Sequence, residues 1–328
     1  MKVTEQSTYR LMQSNLNRIT TDLLSLREQG ASGLRLNRPS DDPGAIRPVL
    51  NTRSQLQQNA RYLETMGQAG DRMAATDGYL AQVENLLVQA KELAINAANG
   101  SLNDADLGIL ADQINQIRQE LFNTANASVG GKYLFAGYQQ DTQPFTVNPS
   151  YDPALYDPAN PATWWAGYSG DDNPFQLEIT PGEVISTTLT GSELFFGIAN
   201  GSGATSPDGV NSIDLFSVLT RLEEAVRAGN IDDPLQAGGS VQAQLENLEI
   251  AANQNRRLRS GLGARAARVD QAMAHQENAR VDLEQILSRY QDADIIKVFN
   301  DIVQKETAFQ AALNVTGRVS KISILDYF

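Results

Sequence analysis

The chain has 328 residues, 41% of them apolar, enough for about two domains of roughly 150 residues with packed cores. Twenty-six basic against 39 acidic side chains leave a net charge of -13, which argues against a general grip on nucleic acid phosphate or anionic lipid and points to protein partners. Cysteine is absent and His275 is the only histidine, so thiolate nucleophiles, disulfides, thiolate metal sites and most imidazole catalysis are excluded, and neither a cofactor nor a metal is expected. No apolar run exceeds the four residues 133–136, and no apolar signal core follows Met1. A soluble chain, or one that leaves the cell without a cleaved signal, is therefore expected, with no membrane span.

In the first arm Tyr9, Met12, Leu16, Ile19, Leu23 and Leu26 alternate steps of three and four, which places them on one stripe of a helix. Gly30 and Gly33 permit a left-handed stop. The following Ser-Asp-Asp-Pro, residues 40–43, offers Asp42 as an N-cap with proline at the first helical position. Pro48 either kinks this second helix or marks its true start. Met73, Thr76, Leu80, Val83, Leu87, Ala90, Ala94 and Ala97 keep the same rhythm up to an Asn-Gly turn at 99–100, and Leu107, Leu110, Ile114, Ile117 and Leu121 predict a third helix.

The middle differs from both arms. Eight of the 12 prolines lie between 144 and 207, and residues 133–220 hold ten acids but no lysine or arginine. Alternating Tyr133 and Phe135, Phe145 and Val147, Phe175, Leu177 and Ile179, then 184–189 predict two small β elements. Residues 149–161 and 200–209 read as loops.

In the second arm a seven-residue register runs in two rows, from Val241 through Leu248, Asn255, Leu262, Val269 and Gln276 to Tyr290 and from Leu245 through Ala252, Arg259, Ala266, Met273 and Arg280 to Leu287, longer than one globular helix usually carries and suited to helices packed lengthwise. The last stretch shows Ile295, Phe299 and Ile302, then Ala308, Ala312, Val315, Val319 and Ile322 in a shifted phase. The expected fold is mainly α: a long coiled-coil rod from the N- and C-terminal arms with a small inserted β-rich domain. Its expected parts are an N-terminal assembly helix (1–42), two shaft halves (43–132 and 213–290), an acidic β-rich outer domain (133–212) and a C-terminal assembly helix (291–328).

Chemistry-bearing constellations are sparse. Asp41-Asp42, Asp171-Asp172 and Asp232-Asp233 sit where caps and turns are expected. The acids near Trp164-Trp165, with Asp171, Asp172 and Glu183 as candidates, carry the alternative of a glycan-cleaving enzyme. His275 falls two residues past the register position Met273 and is expected on the surface. The Gly-rich stretch 260–265 lacks the strand and the Gly-Lys-Ser/Thr ending of a phosphate loop, and reads as a place where helices approach closely. No catalytic residue is assigned.

What remains is the pair of terminal seams, each marginal alone in water and each needing a partner helix. They can pair within one chain, but Val3, Leu11, Leu24 and Leu34 lie off the seam, so apolar area should remain for other subunits. A heterologous contact of that kind builds a ring or tube rather than a dimer.

Several stretches then resemble a known family: MKVTEQSTYRLMQSNLNRI, GLRLNRPSDDPGA, KELAINAANGSLND and NTANASVGGKYLFAGYQQDTQPF in the first arm, RSGLGARAARVD and the ending from YQDADI to ISILDYF in the second. Together they resemble the flagellin superfamily, and within it the hook–filament junction proteins more than flagellin itself, the runner-up. The resemblance implies a structural, non-enzymatic role in the bacterial flagellum, outside the cell, after unfolded type III export. It also implies neighbours: other copies of the chain, the first hook–filament junction protein, flagellin, and an export chaperone on the C-terminal helix. Subunit assembly is expected at Tyr9, Met12, Leu16, Ile19, Leu23, Leu26, Ile295, Phe299, Ile302, Phe309, Leu313 and Val319. The chaperone is expected at Ala308, Ala312, Val315, Val319 and Ile322. A secreted coiled-coil adhesin shares the same rod and stays as a further alternative.

Overall fold

A computed structural model of the chain describes residues 2–99, 102–152, 155–157, 160–197, 213–233 and 239–325. Six helices carry most of them: α1 (Lys2–Ser32), α2 (Pro43–Ala98), α3 (Asp104–Ala125), α4 (Leu215–Arg227), α5 (Val241–Gln291) and α6 (Ile295–Leu325). The strands are short: β1 (Ser128–Val129), β2 (Lys132–Tyr133), β3 (Phe145–Val147), β4 (Ala166–Tyr168), β5 (Gln176–Thr180) and β6 (Glu183–Ser186). They pair antiparallel as β1-β2, β3-β4 and β5-β6. The fold is thus mainly α, with long helices from both arms and a small strand-containing middle. Two compact units are present, one of residues 1–61 with 277–328 and one of 62–276. No helix among the described residues is long and apolar enough to cross a membrane.

The unit of 62–276 has one continuous core. Its spine is the antiparallel pairing of α2 with α5, where Met66, Met73, Leu80 and Leu87 are buried with Leu248, Leu262 and Val269. Polar pairs fix the register: Lys91 with Glu249 at 2.6 Å, Arg256 with Glu84 at 2.7 Å, and Arg259 with Asp77 at 2.7 Å. Asn255 is fully buried and donates Nδ2 to the Leu80 carbonyl at 3.0 Å and to Glu84 at 3.1 Å. A buried asparagine in a helical seam tolerates few alternative alignments, because any slip leaves its amide unpaired.

The predicted third helix is α3, N-capped by Asn103, whose side chain accepts from the Asp106 amide at 2.9 Å. It packs on α4, which falls in the expected second shaft half but is not singled out there as a separate helix, and the two are joined by the nearly buried Arg118–Glu223 pair at 2.9 Å. Where α3 ends, the Asn126 side chain acts as one more strand rung, its Oδ1 accepting from the Phe145 amide at 2.9 Å and its Nδ2 donating to the Phe145 carbonyl at 3.2 Å.

The middle region does not have a core of its own. Phe145, Trp164, Phe195 and Phe196 join Phe122 of α3 and Phe216 of α4 in one aromatic cluster with centroid spacings of 4.8 to 6.2 Å. Such edge and offset contacts add to what burial alone contributes. Gln254 of α5 ties the region down, donating to the Leu194 carbonyl at 2.8 Å and accepting from the Ile213 amide at 3.0 Å. In the Tyr-Leu-Phe-Ala-Gly stretch, Gly137 has φ of 62° and a Cβ there would collide with the Asp171 carbonyl. Only glycine satisfies both demands.

Three expectations need correction. Among the described residues the middle holds three antiparallel strand pairs rather than two β elements, because strands of two or three residues are too short to show a period of two. The glycines at 261 and 263 do not mark a close helix approach: a Cβ at either meets nothing within 4 Å. Gly30 is not a stop but lies within α1 facing α6, where a Cβ would sit 3.5 Å from Val298. Gly33, with φ of 71°, ends the helix.

In the unit of 1–61 with 277–328, the Ser-Asp-Asp-Pro segment works as a double cap. Asp41 accepts from the amides of Asn37 and Arg38 at 3.0 and 2.7 Å, and Asp42 accepts from those of Gly44 and Ala45 at 3.0 and 3.2 Å. Those amides, with Arg35 alongside, hold the Asp42 carboxyl below its ordinary pKa. The helix starts at Pro43 and runs through Pro48. Arg35 donates to the Tyr290 carbonyl at 2.8 Å, and Leu36, Ala45, Val49 and Leu287 pack together under the turn.

Candidate assembly surface on the paired terminal helices

α1 and α6 pair antiparallel. The register follows from Lys305 with Asp22 at 2.6 Å, Arg27 with Glu306 at 2.6 Å, and the Ala293 amide donating to the Gly33 carbonyl at 2.9 Å. The two ion pairs are about half exposed, so each contributes at most about 1 kcal/mol and serves alignment more than stability. Between them the apolar faces meet. Leu23 is buried at 7% exposure, and Met12, Leu16, Ile19, Leu26, Ile302 and Phe309 are half-buried. Leu23 and Phe309 line one groove of about 360 Å³, and Ile19, Leu26 and Ala308 line another of about 740 Å³.

The N-terminal stripe read from the sequence therefore faces the C-terminal helix of the same chain, except Tyr9, which is exposed. The C-terminal set divides. Val298, Ile302 and Phe309 turn toward α1, whereas Ile295, Phe299 and Leu313 are exposed. Of the residues expected to meet a chaperone, Ala308 and Val315 are exposed and Ala312 is half-buried. The side chains of Val319 and Ile322 lie outside the described residues.

The division has a simple origin. Apolar residues in α6 come as neighbours, Ile295-Ile296, Val298-Phe299 and Ile302-Val303, and neighbours on a helix stand about 100° apart. In the second and third doublets one member, Val298 or Ile302, turns toward α1 while the other cannot, and in the first both members are exposed. The outward members Ile296, Phe299 and Val303 form a second stripe at steps of three and four, Ile296 being 77% and Phe299 54% exposed. Ile296 and Val303 were not among the expected assembly residues, and the doublets were the signal for them. On α1, Leu11 and Leu24 are likewise exposed. The open apolar stripe is the candidate for a surface that meets another chain.

The acids weighed for catalysis are engaged in local structure. Asp171 Oδ1 accepts from the Asn173 amide at 2.8 Å, Asp172 accepts from the Ser192 hydroxyl, and Glu183 is paired with Arg268, which together with Thr180 holds its carboxyl below the ordinary pKa. His275 is exposed.

Residues 3–140 match the model of the bacterial flagellin N-terminal helical region, and residues 245–328 match that of the bacterial flagellin C-terminal helical region. The chain belongs to the flagellin family. Among flagellin-family proteins it is similar to the flagellar hook-associated protein 3 of Salmonella typhimurium, 24% identical with 95% of each chain covered. Similarity to the flagellin of Salmonella derby is 23% and covers 70% of this chain but 51% of that flagellin. The fold is also that of the solved flagellar hook-associated protein 3 of Legionella pneumophila, with TM-score 0.58 and 15% identity over 74% of this chain and 98% of the other. The family's two matched regions contain α1 and α6, the helices that carry the open stripe.

Proposed function

We infer that this chain is a structural subunit of the bacterial flagellum, forming the junction between hook and filament. One observation carries the reading: the likeness to hook-associated protein 3 runs end to end over both chains, whereas the likeness to flagellin leaves about half of flagellin without a counterpart. The open apolar stripe of α6 supports it, since a junction subunit needs faces for unlike neighbours as well as for its own copies. Those neighbours are further copies of the chain, the first junction protein on the hook side and flagellin on the filament side. The role is not enzymatic and needs no cofactor. Export proceeds unfolded, without a cleaved signal, with a chaperone held on α6 around Ala308, Ala312 and Val315. The division into assembly helices (1–42 and 291–328), shaft halves and acidic middle belongs to the same proposal.

The test is electron microscopy of flagella from a strain deleted for the chain, together with light scattering of the purified protein. Hooks that are complete but bear no filament, flagellin monomer in the medium and a purified protein that stays monomeric are the expected results. A purified protein that polymerises alone into long tubes would make it a filament subunit. Leu16→Asp or Phe309→Asp places a carboxylate on the face where α1 meets α6, and either is expected to abolish incorporation while the 62–276 unit melts as before. Normal junctions in both variants would refute the assignment of that face.

A further inference from the structure

Within the 62–276 unit the pairing of α2 with α5 leaves a groove of about 490 Å³. Met73, Leu262 and Met273 supply its apolar floor, and Gly67, Gly70 and Gly263 its walls. Glycine weakens a helix, and here no internal packing accounts for it: a Cβ at any of the three meets nothing within 4 Å. The groove is open because side chains are missing from its walls, not because backbones touch. Asp71 and Asp270 also line it and make no ion pair among the described residues, unlike Asp77, which Arg259 holds.

A complementary face lies on the other unit. In the first part of α2, Arg47, Leu50 and Arg53 follow one another at steps of three, all exposed, with Leu50 at 57%. Neither arginine makes an ion pair among the described residues. The two units differ sharply in charge: residues 1–61 with 277–328 hold 15 basic and 13 acidic side chains, and 62–276 hold 11 and 26. A contact of unit to unlike unit therefore avoids the repulsion that two copies of the acidic unit would meet face to face.

We propose that the groove is a docking site for a second copy of this chain, which lays the Arg47, Leu50 and Arg53 face of its α2 into it. Leu50 covers the methionine and leucine floor, and the arginines meet Asp71 and Asp270. The contact is heterologous, so each copy offers one face and receives the other, and copies join in a ring or helical row. The inference rests on the reading of the chain as an assembling junction subunit and names the surface through which its copies meet.

The absence of cysteine makes the test direct. Full-length Leu50→Cys and Gly70→Cys chains, distinguishable by tags, are expressed together in the deletion strain, and isolated flagella are oxidised. A mixed disulfide dimer is expected, with neither variant giving a dimer alone. Gly70→Leu has room to fold, so its melting temperature is expected to hold or rise while its incorporation falls severalfold. Arg53→Glu and Asp270→Arg are each expected to reduce incorporation and, combined in one chain, to restore it. Both cysteine forms present in the flagella without a mixed dimer, dimers of Leu50→Cys alone, or normal assembly of Gly70→Leu would overturn the docking site and leave the junction reading intact. Absence of both forms, and of the unaltered chain, from flagella would instead overturn the junction reading and the docking site with it.

Discussion

Replacing Asp214 with asparagine should remove one pH-dependent contribution to the stability of the 62–276 unit; Glu224 makes another of the same sign, its carboxyl also pushed up to about 7 by burial and by Glu223. Asp214 is 4% exposed and N-caps α4, accepting from the Phe216 amide at 2.9 Å and from the Ser217 hydroxyl. Burial pushes its pKa from 3.8 to about 7, against the partial relief of the Ser217 and Phe216 hydrogen bonds. Folding therefore favours the protonated acid. The stabilisation that comes with it is complete below pH 3.8, is lost progressively as pH rises toward 7, and is gone above. At about 1.4 kcal/mol per pH unit, the interval sets a ceiling of about 4 kcal/mol between pH 3.5 and pH 8. Asparagine caps equally well and does not titrate. Urea unfolding of both proteins, followed by the fluorescence of Trp164 and Trp165 beside this cluster, measures the difference. Asp214→Asn is expected to match the unaltered chain at pH 3.5 and exceed it by up to about 4 kcal/mol at pH 8. A difference between the two that stays constant across that range would show that the acid is not buried as described.

Two further perturbations test the same unit. Phe216→Ala removes the ring that touches Phe122, Phe145, Trp165, Phe195 and Phe196, and is expected to cost about 3–5 kcal/mol, read as a lower urea midpoint with the slope unchanged. Asn255→Leu relieves a buried amide whose Oδ1 has no partner and is expected to raise stability by about 1 kcal/mol. It should also loosen the α2–α5 alignment, which is detected by engineered cysteines one helical turn out of register beginning to cross-link.

The long helices were legible because each carries its own signal. The seven-residue register from Val241 to Tyr290 fell on α5, which spans Val241–Gln291, and the Asp42-Pro43 cap marked the start of α2 to the residue. Even the polar register positions made sense once partnered, Asn255 by the Leu80 carbonyl and Arg259 by Asp77. The helix α4 was not singled out although Asp214 stands before it as a cap and Leu215, Val218, Leu219, Leu222, Ala225 and Val226 recur at steps of three and four, because its 13 residues directly follow the proline-rich acidic middle, whose composition reads as strands and loops. The aromatic core was invisible for a different reason. Its members come from Phe122 to Phe216, and nothing in local periodicity says that residues so far apart share a cluster. On the terminal helices the limit was that a three-four rhythm identifies an apolar stripe without saying which chain covers it.

That last distinction follows from how unevenly the chain buries its apolar residues. Among the described residues, forty are buried in the 62–276 unit, while the unit of 1–61 with 277–328 buries Leu23, Leu36, Ala45, Val49 and Val298. The first has a core of the size that holds a domain together. The second is a helix pair whose seam is largely half-exposed and whose outer stripe at Ile296, Phe299 and Val303 is open. Ordering two helices of 31 residues each costs conformational entropy, and this pair buries few apolar side chains against that cost. If the chain assembles as proposed, neighbouring copies supply the area that the terminal pair lacks, and the energy of incorporation is concentrated where the isolated chain buries least. Under the proposed junction role, that distribution of burial separates the folding of one unit from the assembly of the other.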